Sequence, residues 1–140
     1  TENKKIIKKR PLTNKVDSDF IWPVKGKILN RFGSETPGFF NDGINISSNL
    51  GTSVKASLDG EIVYSGNEIP GYGNLILIKH SKNWITAYAH LEKIVKKKGN
   101  YVKKGETIGL VGKTGNVSEV QLHFEIRKGK EAVNPLKYLS

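Results

Sequence analysis

The stretch from Asn74 to His90, NLILIKHSKNWITAYAH, decides the fold. Leu75 to Ile78 is apolar at four successive positions, a pattern that suits a strand with both faces covered. Ser81-Lys82-Asn83 has the composition of a short hairpin loop. Beyond it, by the strand period of two, Ile85, Ala87 and Ala89 face one way while Thr86, Tyr88 and His90 face the other. Two adjacent antiparallel strands are expected here, the first of them central.

Working outward, Gly, Asn and Ser punctuate the chain at short intervals from Ile44 onward, with β-branched residues between them, the pattern of an all-β sandwich or barrel. Strands are expected at Lys27 to Phe32, Ile44 to Ser47, Ser53 to Ala56, Glu61 to Ser65, Asn74 to Lys79, Trp84 to His90, Tyr101 to Val102, Thr107 to Val111 and Leu122 to Arg127. The one helical signal is a terminal turn over Pro135 to Leu139, with proline at its first position. A weak repeat joins Gly51 to Ala56 with Gly99 to Gly105: each is a G-x-x-V-K unit leading through a glycine into a β-branched strand. Lipoyl and biotinyl carriers are built from such units, but they present a modified lysine at a hairpin tip. Here Leu58-Asp59-Gly60 has no lysine, and the flanks of Lys113 do not match a carrier.

The 140 residues, 36% of them hydrophobic, suffice for one folded domain. Thr1 to Asp19 has too little apolar content to offset ordering entropy and reads as a flexible basic linker; the domain is expected over residues 20–140. The start at Thr1, with no Met in the chain, reads as a processed product or an excised piece, with any export signal or anchor expected upstream. No window is long and apolar enough for a membrane span. The absence of Cys rules out disulfides and thiolate metal sites. The net charge of +10 concentrates in Lys4 to Lys15 and in the acid-free run Lys93 to Lys104. With Tyr101 as the lone aromatic among those lysines, the pattern argues against a base-stacking nucleic-acid site and for a solvated face or attraction to an anionic polymer.

A catalytic zinc site needs about three protein ligands. In an in-register hairpin His80 and His90 lie at opposite ends, roughly 20 Å apart, so they cannot share a metal, and His80 is expected only to cap a strand end. His123 shares a strand face with Gln121 and Glu125. His90, His123, Asn41, Asn45 and Gln121 are therefore candidates for one groove.

Asn41-x-Gly43-Ile44-Asn45, Gly51-Thr52-x-Val54-x-Ala56, Asp59-Gly60, Gly71-Tyr72-Gly73-Asn74, Tyr88-Ala89-His90-Leu91, Gly105-x-x-Ile108-Gly109, Gly112-x-Thr114-Gly115, Gln121-Leu122-His123-Phe124-Glu125 and Asn134-Pro135 follow in the order found in the LytM/lysostaphin-like peptidase domain, which the chain resembles from about Ile21 to Leu139. The resemblance implies a two-layer antiparallel β-sandwich of the duplicated hybrid motif type. It also implies that Asn41 stands where active members carry a zinc-binding His, Asn45 where they carry a zinc-binding Asp, and His123 at the third ligand. His90 and Gln121 stand at the two assisting histidines.

One ligand of three and one assisting His of two thus remain. Amides bind zinc far less well than imidazole or carboxylate, and Gln121 cannot shuttle a proton. The pattern is similar to the degenerate, catalytically inactive branch of the family, the murein hydrolase activators of the NlpD, DipM and EnvC type. That resemblance implies no zinc, no catalysis, and a periplasmic or cell-envelope location. It implies as partner a periplasmic N-acetylmuramoyl-L-alanine amidase or other peptidoglycan hydrolase, with peptidoglycan as a further ligand. The expected partner-binding groove comprises Asn41, Asn45, Tyr72, Tyr88, His90, Gln121 and His123. A zinc-dependent peptidoglycan endopeptidase with atypical ligands and a passive peptidoglycan-binding module stand as alternatives.

Overall fold

A computed structural model describes residues 19–140. The expected linker lies outside the described residues except for Asp19, whose carboxylate accepts from Lys104 Nζ at 2.8 Å.

The described residues form strands β1 (Ile28–Asn30), β2 (Gly33–Thr36), β3 (Phe39–Asn41), β4 (Ile44–Ser47), β5 (Ser53–Lys55), β6 (Gly60–Gly66), β7 (Asn74–Lys79), β8 (Trp84–Ile94), β9 (Tyr101–Val102), β10 (Thr107–Val111), β11 (Gln121–Lys128) and β12 (Glu131–Val133). The main sheet runs β9-β6-β7-β8-β11-β4-β1, with β10 bridging β5 and β8 and β12 on β11; β2 and β3 form a separate hairpin. Every pairing between these strands is antiparallel. The all-β antiparallel reading holds.

Within β7, Ile76 and Ile78 join the main core with Ile44, Ile46, Ile62, Tyr88, Leu122, Phe124 and Ile126. Leu75 lies on the other face in a smaller cluster with Ala87 and Ala89, partly covered by Tyr64, Tyr72 and Leu77. The four-residue apolar run is therefore covered on both sides, as its composition requires.

The two sequence repeats complete each other. β5, from the first, pairs with β10, which follows the second; β9, from the second, pairs with β6, which follows the first. Ala56 and Gly105, the last residues of the two units, are joined by a 2.9 Å bond from Gly105 N–H to Ala56 O.

Three local features differ from the sequence expectation. The β2–β3 hairpin forms in GSETPGFF, whose polar, Gly- and Pro-rich composition carries no strand signal. β8 continues past His90 to Ile94, and β12 was not expected. The terminal turn is a short 3-10 segment, Pro135–Lys137, with Pro at its start and Asn134 Oδ1 accepting from Leu136 N–H at 3.1 Å.

His80 does more than cap a strand end. It is 5% exposed, with Nδ1 2.6 Å from Asp59 O and Nε2 2.8 Å from Thr86 Oγ1. Thr86 in turn meets Tyr88 Oη at 2.7 Å, and that oxygen accepts from Ser57 N–H at 2.9 Å. Since Asp59 O can only accept, Nδ1 carries the proton, and burial lowers the His80 pKa to about 4.

Candidate functional site

Strand β11 builds the floor of the site. Its even and odd positions split cleanly: Leu122, Phe124 and Ile126 enter the main core, which leaves Gln121, His123 and Glu125 on the opposite face. His123 lies across from Asn45 on β4 and from Ala89 on β8, and Glu125 lies across from Ala87. Two alanines on β8 leave room for the larger side chains beside them. Asn41 reaches the same floor through the tight turn between β3 and β4. A Cβ on Gly43 would come within 2.2 Å of Phe124 O, so that turn can press against β11 only with glycine there.

His90 arrives by a different device. Strict alternation would place it with Tyr88, on the core face. Between Tyr88 and Leu91, however, β8 has an extra residue relative to β7, where Ile76 and Asn74 are the partners. His90 takes the left-handed conformation at φ 66°. This bulge turns its side chain to the groove face. Its N–H donates to Tyr72 O at 2.9 Å and its Nδ1 donates to Thr114 O at 2.8 Å. The Thr114 carbonyl accepts only, so Nε2 is left as an acceptor, and it has no partner among the described residues. Burial, ahead of other effects, lowers the His90 pKa.

Together these residues line one groove of about 510 Å³, with Phe39, Phe40, Asp42, Tyr72 and Glu125 among its walls. Asn41, His90, Gln121 and His123 are buried, at 6 to 8% exposure. Tyr88 is the exception and a correction to the sequence reading. It is fully buried, packs against Phe124 at 5.4 Å between ring centroids, and belongs to the His80 network. Parity had tied it to His90; the bulge separates them.

The floor is a directed chain of amides. Asn41 Nδ2 donates to Arg31 O at 3.2 Å and to Asn45 Oδ1 at 3.0 Å. Asn45 Nδ2 donates to Gln121 Oε1 at 2.8 Å, and Gln121 Nε2 donates to Glu119 O at 3.2 Å. Both ends of the chain are backbone carbonyls, which can only accept, so the orientation of all three amides is fixed.

Glu125 anchors the far side. Its carboxylate accepts from His123 Nε2 at 2.8 Å, Tyr72 Oη at 3.0 Å and Arg127 Nε at 2.8 Å. Burial pushes the Glu125 carboxyl up, but the hydrogen bonds and charges of His123 and Arg127 outweigh it and hold the group below the usual carboxylate range. Burial and the same carboxylate raise Tyr72 to about 12. Sequence reasoning placed Glu125 on this face but missed the clamp; the alternation 121, 123, 125, 127 would have put Arg127 there as well. Phe39 and Phe40, each 58% exposed, were read as an aromatic pair and not as a groove wall.

Residues 39–135 match the family model described as Peptidase family M23. The chain belongs to peptidase family M23. The M23 domain is 52% identical over 108 residues to Cell division protein DipM of Caulobacter vibrioides, covering 77% of this chain and 18% of that protein. It is 43% identical over 122 residues to Murein hydrolase activator NlpD of Escherichia coli, covering 87% of this chain and 31% of that protein. The chain thus spans less than a third of the length of either relative. Its fold matches the catalytic domain of the antimicrobial peptidase lysostaphin from Staphylococcus simulans with a TM-score of 0.75 at 32% identity, over 79% of this chain and 90% of that one.

Zinc does not fit the donors present at this M23 site. Both N–H groups of Asn41 are spent on oxygen acceptors, and Asn45 Oδ1 already accepts from Asn41. An amide nitrogen has no lone pair for a metal, and neutral amide oxygens are weak substitutes for imidazole and carboxylate. Among the described residues, no group of three His, Cys, Asp or Glu side chains is placed to hold a metal ion. No helix among them is long and apolar enough to cross a membrane.

Proposed function

We propose that this M23 domain is a non-catalytic factor that binds and activates a periplasmic peptidoglycan hydrolase, an N-acetylmuramoyl-L-alanine amidase, in cell-wall remodelling and daughter-cell separation. The observation that carries the reading is the amide chain Asn41-Asn45-Gln121: where active relatives hold a metal, this chain holds a self-satisfied hydrogen-bonded floor. The names of the relatives DipM and NlpD support the same direction. The domain acts at the cell envelope, without bound zinc and without cutting peptidoglycan.

The groove formed by Asn41, Asn45, Tyr72, His90, Gln121 and His123 receives a segment of the hydrolase. Asn45 and Gln121 each retain one N–H beyond the chain itself, and His90 Nε2 is an open acceptor, so a peptide backbone finds both donors and an acceptor. Phe39 and Phe40 offer an apolar wall to its side chains. Activation requires only that the groove bind the segment as presented by the open hydrolase better than as presented by the closed one.

The test is dye release from labelled peptidoglycan sacculi by the domain, a candidate amidase, and the two mixed. Release by the mixture beyond the sum of the two supports the reading. Release by the domain alone, abolished by chelator, makes it a zinc peptidase and overturns it.

A further inference from the structure

The chain carries 23 Lys and Arg against 13 Asp and Glu, and six of its lysines fall in the run from Lys93 to Lys104. Among the described residues no lysine or arginine lines the groove, whereas Asp42 and Glu125 both do. On a surface with this excess of positive charge, a hollow whose formal charges are both negative reverses the local field, and a cleft concentrates such a field.

The two carboxylates are not equivalent. Glu125 is 2% exposed and already accepts from His123, Tyr72 and Arg127. Asp42 stands at the rim with its side chain 46% exposed, and Arg127 Nη2 lies 3.6 Å away, too far for a hydrogen bond. Arg127 is itself committed elsewhere, through Nε to Glu125 at 2.8 Å and through Nη1 to Lys130 O at 3.1 Å. The Asp42 carboxylate therefore has no hydrogen-bond donor among the described residues. Phe39 and Phe40, each 58% exposed, line the same groove, and Phe32 braces Phe40 edge-on at 5.3 Å between ring centroids. An exposed ring beside an unpaired carboxylate suits an organic cation, which the ring draws by its quadrupole and the carboxylate by its charge. Deeper in, His90 is 6% exposed and its Nε2 has no partner among the described residues. That acceptor suits an N–H donor and not a carboxylate.

We propose that the groove selects a basic segment, anchored by an arginine between Asp42 and the Phe39 and Phe40 wall, with backbone carbonyls of the segment on the spare N–H groups of Asn45 and Gln121. A guanidinium fits this set better than an ammonium, because it stacks on a ring and offers N–H groups on more than one edge. The inference rests on the reading that the groove receives a hydrolase segment, and it names the chemistry of that segment. An acidic side chain there would meet Asp42 and an acceptor nitrogen and be rejected. The positive charge of the rest of the domain then steers a basic segment away from every other face and fixes where it docks.

The experiment is an NMR titration of the domain with N-acetyl-arginine amide and, in parallel, with N-acetyl-glutamate amide, at low and high salt. The arginine probe should move the backbone amide signals of Phe40, Asp42 and His90, less so at high salt, and the glutamate probe should leave them in place. Asp42→Asn should bind the arginine probe about threefold to fivefold less well and Asp42→Glu should restore it, with melting curves showing both folded. Silence from the arginine probe, equal shifts from the two probes, or equal binding by wild type and Asp42→Asn overturns the proposal. Dye release with a candidate amidase separates it from the activator reading. Asp42→Lys should lose most of the activation, and full activation by that variant would overturn the cation preference while leaving the activator reading intact. No activation by wild type, with the arginine probe still seated in the groove, would sink the activator reading and leave the cation site standing.

Discussion

Two polar clusters sit on opposite faces of the main sheet, and they differ in how their hydrogen bonds end. On the core face, His80, Thr86, Tyr88 and Ser57 close on one another and on Asp59 O, with both His80 nitrogens occupied. On the groove face, the amide chain and the Glu125 clamp satisfy most of their groups, yet among the described residues His90 Nε2 and one N–H each on Asn45 and Gln121 are left over. The first cluster is finished by the fold. The second keeps groups that the described residues do not pair, and that difference separates a histidine committed to the fold from one with a ring nitrogen to spare.

The largest effect should come from placing metal-ligating side chains in the groove. Asn41→His together with Asn45→Asp supplies, with His123, a three-ligand set of the kind that binds zinc by on the order of 10 kcal/mol. Zinc analysis after dialysis should read near one equivalent for the variant and none for the wild type. Zinc absent from both would mean that the backbone, and not only the ligands, has moved away from a metal geometry, and the comparison with the core cluster would lose its basis.

Next in size is the pH response of the core cluster. The folded-state pKa of His80 lies at about 4, below its unfolded value of about 6.5. The unfolded chain therefore binds the proton first. The stability from a neutral His80 is complete above about pH 6.5 and is lost as pH falls towards about 4, amounting to about 3 kcal/mol. His90, also lowered, acts with the same sign. Denaturant titrations between these limits should show a shallower slope for His80→Asn than for wild type; equal slopes would show that the core cluster tolerates a charge.

Glu125→Gln tests the anchor of the open cluster. It leaves Arg127 without its closest carboxylate and weakens the hold on His123 and Tyr72, with an expected loss of about 1–3 kcal/mol. Amidase activation should fall with it. Unchanged activation at reduced stability would assign the clamp to the fold alone.

The smallest effect on stability is expected at His90. Glycine relieves its left-handed backbone but loses the Nδ1 bond to Thr114 O, so His90→Gly should change stability by no more than about 1 kcal/mol, while activation drops. A variant that keeps full activation would remove His90 from the groove's working set.

Most of the fold was legible. The double-faced run Leu75 to Ile78, the hairpin loop at Ser81 to Asn83 and the alternation in Leu122 to Ile126 each state in sequence what the sheet then does. The reciprocal pairing of the repeats was legible as a repeat but not as an exchange, because sequence similarity does not say which copy a strand will pair with. The β2–β3 hairpin was not legible, since its residues form strands against one another without a buried apolar face.

At the site, parity failed at one place. Period-two reasoning assumes extended backbone at every step, and the left-handed residue His90 breaks it, sending His90 to the groove and leaving Tyr88 in the core. Asn41, Asn45, Gln121 and His123 were read together and lie together. The Glu125 clamp depends on Tyr72 arriving from a distant loop, a contact to which no local pattern points.

The exchange between repeats also bears on the history of the domain. Each strand of the first unit is completed by a strand of the second, so half the domain standing alone would present unpaired edges shaped to fit its own copy. A primordial half-length chain of this kind would meet its twin before it met solvent, as a strand-exchanged homodimer, and fusion of the two copies would turn a concentration-dependent assembly into a unimolecular one. Freed from mutual symmetry, one flank could then gather lysines while the other side of the sheet kept a hollow, a division of labour that two identical halves could not support.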